Sequence, residues 1–204
     1  MVAIIPDTAD KAIADWLEVR VRMALARTTG TVALAVPGGS TPFPILALLA
    51  ERQLEWDRLA FYPTDDRMVP HDHPASNTGK LIELFEPVGA EVCELSLKTA
   101  PPSFALVWLG MGGDGHIASL FPNTDPQADD PQSVRRLTPD PLPPEAPFDR
   151  ITLTIPALLN SGELLLVMRG ADKRAVLDAA IAGTNDLPVA RLLHASHGPI
   201  TCFT

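Results

Sequence analysis

The sequence is poor in cysteine and in positive charge. Its 204 residues include two cysteines, Cys93 and Cys202, which form no CxxC pair. This argues against a disulfide framework and against a thiolate zinc site, and we expect both thiols to be small core residues. The 16 Lys and Arg residues stand against 25 Asp and Glu residues, which gives a net charge of -9. The chain therefore lacks the basic surface typical of proteins that bind nucleic acid or acidic membranes, and an anionic ligand would need positive charge concentrated locally.

Long apolar segments are also absent. No run approaches the roughly 18 to 20 residues of a membrane span. The first residues, MVAIIPDTAD, lack the basic and long apolar regions of a secretory signal, so we expect a cytoplasmic protein. The 46% of hydrophobic residues is enough to bury a sizeable core. Because no flexible linker or internal repeat divides the chain, residues 1–204 are predicted to form one domain.

Short apolar strands alternate with helical segments along the chain. Apolar residues recur at helical spacing from Ala12 to Leu25, with Asp7 or Thr8 as the candidate N-cap and Gly30 as a stop. Other helices are predicted in PILALLAER, KLIELFE and DKRAVLDAAIAG, and strands in TVALAV, LAFY, FALVWLG, RITLTI, ELLLVM and PITCFT. This alternation predicts an α/β fold with an open, mainly parallel sheet and helices on both faces.

Proline is concentrated in one segment. Eight of the 21 prolines lie between Pro122 and Pro147, together with several acidic residues. A PLPP sequence can act as an interaction motif, but in an α/β protein it is more typical of a surface loop. We therefore predict an irregular, Pro-rich excursion at residues 122–147.

Polar loops follow three of the predicted strands. PGGSTP comes after TVALAV, PTDDR after LAFY, and GMGGDGH after FALVWL. In open α/β sheets, ligands bind beyond the carboxyl ends of the strands, where helix N-termini present unpaired N–H groups. We expect the three loops to converge on one crevice.

The first of these loops has the composition of an anion-binding loop. Gly38 and Gly39 allow close approach of the backbone, Ser40 and Thr41 offer hydroxyl and N–H groups, and Pro42 suits the first turn of a helix. A sugar phosphate would fit, although an ordinary Gly-rich turn would have the same composition. The loop is neither a Walker A motif nor GxGxxG, so nucleotide binding is not supported.

The stretch LGMGGDGHIASLFP, Leu109 to Pro122, leads from a strand into a predicted helix. Histidine changes charge near neutral pH, so His116, with Asp114 two residues before it, is a candidate general base for activating water. The alternative is a histidine that caps the following helix or bonds to a carbonyl. Its place in a loop that faces two other polar loops favours a catalytic role.

The charged set of the second loop is Asp65, Asp66 and Arg67. Such a cluster is ordinarily a solvated turn, but this one directly follows a buried-type strand. A metal site is disfavoured at His71, Asp72 and His73, and at His194 and His197, because third and fourth ligands do not occur at the spacing typical of metal sites. We therefore predict no metal and interpret these histidines as parts of solvated loops.

Four motifs carry a family resemblance. VPGGSTP, TDDRMVPHDHPASNTG, LGMGGDGHIASLFP and FDRITLT followed by GADK resemble the 6-phosphogluconolactonase family, in a superfamily that also holds glucosamine-6-phosphate deaminases. They occur in the family's order from about Val36 to about Lys173. The GxDGHxASLFP form points to the lactonases, because the deaminases continue differently after GxDGH.

The resemblance implies a Rossmann-like fold and hydrolysis of a sugar-phosphate lactone without a cofactor, in the pentose phosphate pathway or an Entner-Doudoroff route. It implies that His116 is the general base, supported by Asp114, and that Asp65 and Arg67 orient the base and the substrate. Ser76 and Asn77 match the family's Ser-Asn pair. The positions that match the family's other substrate and phosphate contacts are Gly38, Gly39, Ser40, Thr41, Asn77, Arg150 and Lys173.

The sequence departs from the family pattern in two places and leaves two rival functions open. Asp66 stands where the family usually has Glu, and most of a customary helical segment is missing between Glu91 and Phe104. One rival is a sugar-phosphate deaminase or isomerase, in which the Asp65–Asp66 pair would move a proton between carbons. The other is a noncatalytic sugar-phosphate sensor. A serine hydrolase is disfavoured because the sequence has no GxSxG.

Overall fold

The computed structural model describes residues 2–98, 100–142 and 146–204. Its strands are β1 (Val2–Ile5), β2 (Val32–Val36), β3 (Leu59–Pro63), β4 (Asp65–Arg67), β5 (Glu91–Val92), β6 (Leu106–Leu109), β7 (Val134–Leu137), β8 (Arg150–Leu153), β9 (Leu164–Val167) and β10 (Ile200–Phe203). Its helices are α1 (Asp10–Ala26), α2 (Pro42–Ala50), α3 (Asn77–Phe85), α4 (Ile155–Leu159), α5 (Ala171–Ile181) and α6 (Pro188–Ala195).

Seven strands form one sheet in the order β1-β10-β9-β6-β2-β3-β5, and every neighbouring pair is parallel. From β2 the chain adds β3 and β5 on one side, and from β6 it adds β9 and β10 on the other. The strand order therefore reverses between β2 and β6. Loops that leave these two strands at their carboxyl ends diverge and open a crevice.

The central strands are buried on both faces. On β2, Val32, Leu34 and Val36 pack in a cluster with α1, α2 and α3, whereas Ala33 and Ala35 pack in a second cluster with α4, α5 and α6. This period of two is the side-chain alternation of a strand, and it places three helices on each face. The predicted fold class, an open parallel sheet with helices on both faces, is confirmed.

A second, antiparallel sheet has the order β4-β8-β7. The sequence pattern predicts RITLTI as a strand of one mainly parallel sheet, but β8 pairs with β4 and β7 and not with the larger sheet. The excursion at residues 122–147 is likewise not wholly irregular, because it contains β7. Its residues 143–145 lie outside the described residues.

The helix predicted after His116 is wrong. Residues 110–121 contain no helix, and a single turn of 3-10 helix follows at Pro122–Thr124. Ala118 has a positive φ of 48°, which an α-helix cannot accommodate, and Ile117 forms bridges to Met111 and Leu120 that fold the segment into tight turns.

The boundaries of α1 also differ from the sequence prediction. The helix begins at Asp10 after Ala9, which provides no side-chain cap, so neither Asp7 nor Thr8 is the N-cap. Asp7 has a positive φ of 51° and belongs to the turn between β1 and α1. The helix ends at Ala26, four residues before Gly30.

The described part of the chain contains no helix that is both long and apolar enough to cross a membrane. Both cysteines are free thiols: Cys202 is buried in the core and Cys93 is half-buried. Burial raises the pKa of Cys202 to about 11 and also raises the pKa of Cys93.

Candidate active site

A cavity of about 350 Å3 lies at the carboxyl ends of the parallel strands, where the strand order reverses. It is lined by the loops that follow β2 and β6, by the start of α3, and by side chains from β4, β8 and α5. The predicted site residues that line it are Gly38, Gly39, Ser40, Thr41, Asp65, Arg67, Asn77, His116, Arg150 and Lys173. The three polar loops therefore converge as the sequence predicts.

The loop after β2 presents backbone to the cavity. Gly39 has a φ of 100°, a conformation that other residues rarely adopt. A Cβ on Gly38 would lie 2.0 Å from Oδ1 of Asn77, so only glycine lets this loop pack against the start of α3. Pro42 is the first residue of α2, and Thr41 makes no side-chain cap bond to the helix. Pro42 and Pro44 carry no N–H, so this end of α2 presents the N–H groups of Thr41 and Phe43, which receive no cap bond from the Thr41 side chain and favour an anion.

His116 and Asp114 form a hydrogen-bonded pair in the loop after β6. Nδ1 of His116 lies 2.6 Å from Oδ1 of Asp114, and the backbone N–H of His116 donates to the same oxygen at 3.2 Å. Asp114 does not line the cavity, whereas His116 does. A carboxylate at Nδ1 favours a proton on that nitrogen, so Nε2 is the ring atom that can accept one.

The turn that carries this pair is built on glycines. A Cβ on Gly112 would lie 2.2 Å from both Cε1 and Nδ1 of His116. Gly115 has a φ of 79°, and its carbonyl accepts a hydrogen bond from the N–H of Val189 in α6. The imidazole also packs against the ring of Phe121, with 4.9 Å between the ring centroids. Packing and the Asp114 bond together hold the imidazole at the edge of the cavity.

The two acids of β4 have different surroundings. The Asp66 carboxylate faces the N-terminus of α3 and accepts hydrogen bonds from the N–H groups of Asn77 and Thr78, at 2.6 and 2.9 Å, and from Oγ of Ser76 at 3.2 Å. Ser76 is the N-cap of α3 and accepts from Gly79 N–H at 2.9 Å. Asp66 and Ser76 therefore anchor α3 and do not line the cavity.

Asp65 points the other way and lines the cavity while being buried. Its Oδ2 accepts a hydrogen bond of 2.5 Å from Oγ of Ser119. Burial raises the pKa of Asp65, and the Ser119 hydroxyl and the charges of Arg67 and His116 act in the opposite direction. A buried acid with a raised pKa in a cavity is characteristic of functional sites.

Arg67 is held in place by backbone and amide oxygens. Its Nη1 donates to the carbonyl of Ala75 at 2.9 Å and to Oδ1 of Asn77 at 3.4 Å, and Nδ2 of Asn77 donates to the carbonyl of Asp65 at 2.8 Å. Nε of Arg67 is buried and has no hydrogen-bond partner in residues 2–98, 100–142 and 146–204. A buried N–H donor without a protein partner is costly unless a ligand accepts from it.

Two more basic side chains line the cavity. Arg150, on β8, is buried, and its guanidinium donates to the carbonyls of Phe148 and Ala146. Lys173 lies in the first turn of α5, which begins after Gly170 with its φ of 102°. Positive charge is thus concentrated at this cavity although the protein is acidic overall.

Ser119, Thr152 and Phe121 are not predicted as site residues from the sequence. Ser119 and Phe121 line the cavity, and Oγ1 of Thr152 accepts from the N–H of Ser119. The sequence feature that could have identified Ser119 is its position three residues after His116 in LGMGGDGHIASLFP. Thr152 is recognised only once β4 and β8 are paired.

Three of the other histidines, His71, His73 and His194, have protein partners. His71 pairs with Glu94, the ring of His73 packs edge-on against Phe148, and Nε2 of His194 lies 3.0 Å from the carbonyl of Ala180. Within the described ranges, no three His, Cys, Asp or Glu side chains are grouped so as to hold a metal ion.

Comparison with known proteins gives one consistent result. The sequence matches the family described as glucosamine-6-phosphate isomerases/6-phosphogluconolactonase over residues 6–89 and 86–202. It is similar to the 6-phosphogluconolactonase of Pseudomonas aeruginosa, with 36% identity over 200 residues that cover 86% of this chain and 83% of the relative. It is also similar to that of Mesorhizobium japonicum, with 34% identity over 213 residues, or 94% of this chain and 89% of the relative.

Solved structures have the same fold. A 6-phosphogluconolactonase from Thermotoga maritima aligns with a TM-score of 0.83 at 23% identity and covers 100% of this chain and 99% of its own. A monomeric glucosamine-6-phosphate deaminase aligns with a TM-score of 0.77 at 15% identity, over 98% of this chain and 96% of its own. The fold alone therefore does not separate the two activities.

Proposed function

Since the chain belongs to the family of glucosamine-6-phosphate isomerases and 6-phosphogluconolactonases, we propose that it hydrolyses 6-phospho-D-glucono-1,5-lactone to 6-phospho-D-gluconate by attack of a water molecule that His116 activates. The resemblance of its motifs to the lactonases is confirmed by relatives that are 36% and 34% identical. Its activity is accordingly that of a hydrolase, and the roles of individual residues are our proposal.

The observation that carries the mechanism is the His116–Asp114 pair at a cavity that also holds basic side chains. Asp114 accepts at Nδ1, 2.6 Å away, so Nε2 takes the proton from water as the hydroxyl adds to the lactone carbonyl carbon. The proton returns to the ring oxygen as the bond between that oxygen and the carbonyl carbon breaks. The products are a hydroxyl group and a carboxylic acid, which releases its proton to solvent to become the carboxylate. No covalent enzyme intermediate is needed because a cyclic ester is already electrophilic.

Negative charge develops on the carbonyl oxygen as water adds. The Arg67 guanidinium stabilises this charge. It is held in place by Ala75 and Asn77, and its Nε is available to donate because it has no hydrogen-bond partner in the described part of the chain. Backbone N–H groups of the Gly-rich loops are further donors. Removal of one such preorganised donor typically lowers the rate about a hundredfold or more.

The phosphate is bound by the loop after β2 and by the basic residues. Gly38, Gly39, Ser40 and Thr41 precede the N-terminus of α2, and Lys173 and Arg150 supply positive charge at the same cavity. Phosphate binding by a helix N-terminus and a cation places the lactone carbonyl near His116, which converts binding energy into orientation.

A histidine substitution tests this mechanism. The hydrolysis of freshly generated 6-phosphogluconolactone is measured at slightly acidic pH, where the spontaneous reaction is slow, for the wild type, His116→Ala and His71→Ala. We expect rapid turnover by the wild type, a loss of about a hundredfold or more in a folded His116→Ala protein, and no loss in His71→Ala, whose side chain contacts Glu94 outside the cavity. Full activity of His116→Ala would exclude it as the base.

One observation favours a second function. Asp65 is a buried cavity acid with a raised pKa, which suits proton transfer between adjacent carbons of a sugar phosphate. A deaminase or isomerase would release ammonia from glucosamine 6-phosphate, and the lactonase would not. A protein that binds the sugar phosphate but turns over neither substrate would be the noncatalytic sensor.

The cellular setting is part of the proposal. A lactonase of this specificity acts in the oxidative branch of the pentose phosphate pathway, in the cytoplasm, on a small anionic molecule and without a nucleic-acid partner. We further propose that residues 1–204 act as one domain, because side chains from β4, α5 and the loops between them meet in a single cavity. Hydrolysis needs no cofactor in this proposal, because an imidazole suffices to activate water.

A further inference from the structure

Ser119 links the loop that carries His116 to the buried acid of the cavity. It lies three residues after His116 and is 1% exposed. Its hydroxyl donates to Oδ2 of Asp65 at 2.5 Å, across 54 residues of sequence. This distance lies in the range of charge-assisted O–H···O⁻ bonds, which are stronger than bonds between neutral groups.

The backbone of Ser119 is fixed to the small sheet. Its N–H donates to Oγ1 of Thr152 at 3.2 Å, and the Thr152 hydroxyl lies 3.1 Å from the carbonyl of Leu153, to which it donates. Thr152 and Asp65 are direct partners across β8 and β4. Ser119 therefore contacts both members of one cross-strand pair, one through its side chain and the other through its backbone.

We propose that Ser119 is a positioning residue for lactone hydrolysis: its hydroxyl fixes the Asp65 carboxylate in the cavity, and its backbone docks the His116 loop on β8. The inference rests on the proposed function. Ser119 acts through Asp65 and His116 and not on the reacting atoms. A rotation of this loop would change the position of the imidazole relative to the carboxylate, which is the type of misplacement that costs rate without removing a catalytic group.

The hydrogen bond between Ser119 and Asp65 can be followed through the pKa of Asp65. The charged groups that act on the Asp65 carboxylate are Asp66 and Arg67 on β4 and His116 on its loop, and Arg150 lies on the neighbouring strand β8. Burial raises the pKa of Asp65 and so does Asp66, whereas Ser119, Arg67 and His116 lower it. Loss of the Ser119 hydroxyl should therefore raise the pKa of Asp65 further.

The test compares Ser119→Ala with a matched control. Thr154→Val removes another buried hydroxyl, one that donates to the carbonyl of Gln132 at 2.7 Å and does not line the cavity. Carbon NMR of labelled aspartate, assigned with Asp65→Asn, follows the Asp65 titration. The kcat and KM for 6-phosphogluconolactone are measured as functions of pH in the same proteins.

We expect Ser119→Ala to raise the Asp65 titration midpoint, to move the acidic limb of the kcat profile in the same direction, and to lower kcat about tenfold or more with KM within about twofold. Thr154→Val should change neither the midpoint nor the profile. Ser119→Cys, which keeps the size and a weak donor, should give smaller changes of the same sign. If the alanine variant does not fold, the cysteine variant provides the same comparison.

Two results would overturn the inference. An Asp65 titration that does not move in Ser119→Ala would mean that the bond does not hold the carboxylate. A wild-type kcat and pH profile in that variant would mean that the bond has no part in hydrolysis. Absence of turnover by the wild type, with the titration shift present, would instead refute the proposed function and the role of Ser119 in it, while the Ser119–Asp65 bond would stand.

Discussion

Replacing Gly112 by alanine should displace His116, the proposed general base, without disturbing the fold. An ideal Cβ at this position lies 2.2 Å from both Cε1 and Nδ1 of His116 and 2.5 Å from Oδ1 of Asp114. Carbon atoms in ordinary contact are about 3.5 to 4.0 Å apart, so the ring must move by roughly 1 Å or more. Gly112 does not have a positive φ, and alanine can therefore adopt its backbone conformation.

The size of the effect follows from that displacement. A misplacement of about 1 Å in a catalytic group can cost on the order of a hundredfold in rate. We therefore expect kcat/KM of Gly112→Ala to fall about a hundredfold, which corresponds to about 2.7 kcal/mol of transition-state stabilisation. Thermal unfolding should change little, because the imidazole and the Asp114 carboxylate can rotate toward solvent.

The neighbouring glycine supplies the control. A Cβ on Gly113 meets nothing within 4 Å, so Gly113→Ala adds the same methyl group to the same loop without a clash. The assay is lactone hydrolysis under the conditions used for His116→Ala, with thermal unfolding measured in parallel. Wild-type activity in Gly112→Ala, or an equal loss in Gly113→Ala, would refute the argument that the position of the imidazole controls the rate.

Two further predictions concern charge in the cavity. Because burial raises the folded-state pKa of Asp65, its ionisation costs stability; the cost is absent below the unfolded pKa of about 3.9 and complete above the folded pKa. Asp65→Asn should therefore raise Tm at neutral pH, by about 2 to 4 °C for each kcal/mol of stability recovered, and should lower kcat. In acid the variant should have no Tm advantage over the wild type. An equal Tm difference at both pH values, measured by calorimetry, would contradict this reasoning. Lys173→Ala should raise KM for 6-phosphogluconolactone about tenfold, because a charge-assisted bond to the phosphate is lost, and leave the kinetics of unphosphorylated gluconolactone unchanged. Equal effects on both lactones would mean that Lys173 does not contact the phosphate.

The cavity could be predicted from the sequence because its parts are local. PGGSTP and GMGGDGH each follow a strand of continuous apolar residues, and in a parallel sheet the carboxyl ends of strands meet at one edge. β2 and β6, between which the strand order reverses, supply these two loops, so the convergence of the loops follows from the strand order. His116 and Asp114, both in GMGGDGH, are two residues apart and meet within one turn.

The remaining features depend on contacts that are distant in sequence. β4 is three residues long and pairs with β8 across more than 80 positions, so no local pattern reveals the second sheet. IASLF has an apolar pattern compatible with a helix, but Ala118 adopts a positive φ and Ser119 turns its hydroxyl to Asp65. A buried serine is recognised as functional only when its partner is known.

The position of β10 has a consequence for folding during synthesis. It comes after the other strands in the sequence, yet it lies between β1 and β9, and within the described residues β1 pairs with no other strand. On the ribosome, Val2–Ile5 is made long before Ile200–Phe203 and has no strand partner among the described residues until Ile200–Phe203 has emerged. From the synthesis of β9 until that of β10, the nascent protein therefore carries an unpaired β1 strand and an open sheet edge on β9, and these are where a chaperone or a second nascent chain would bind first.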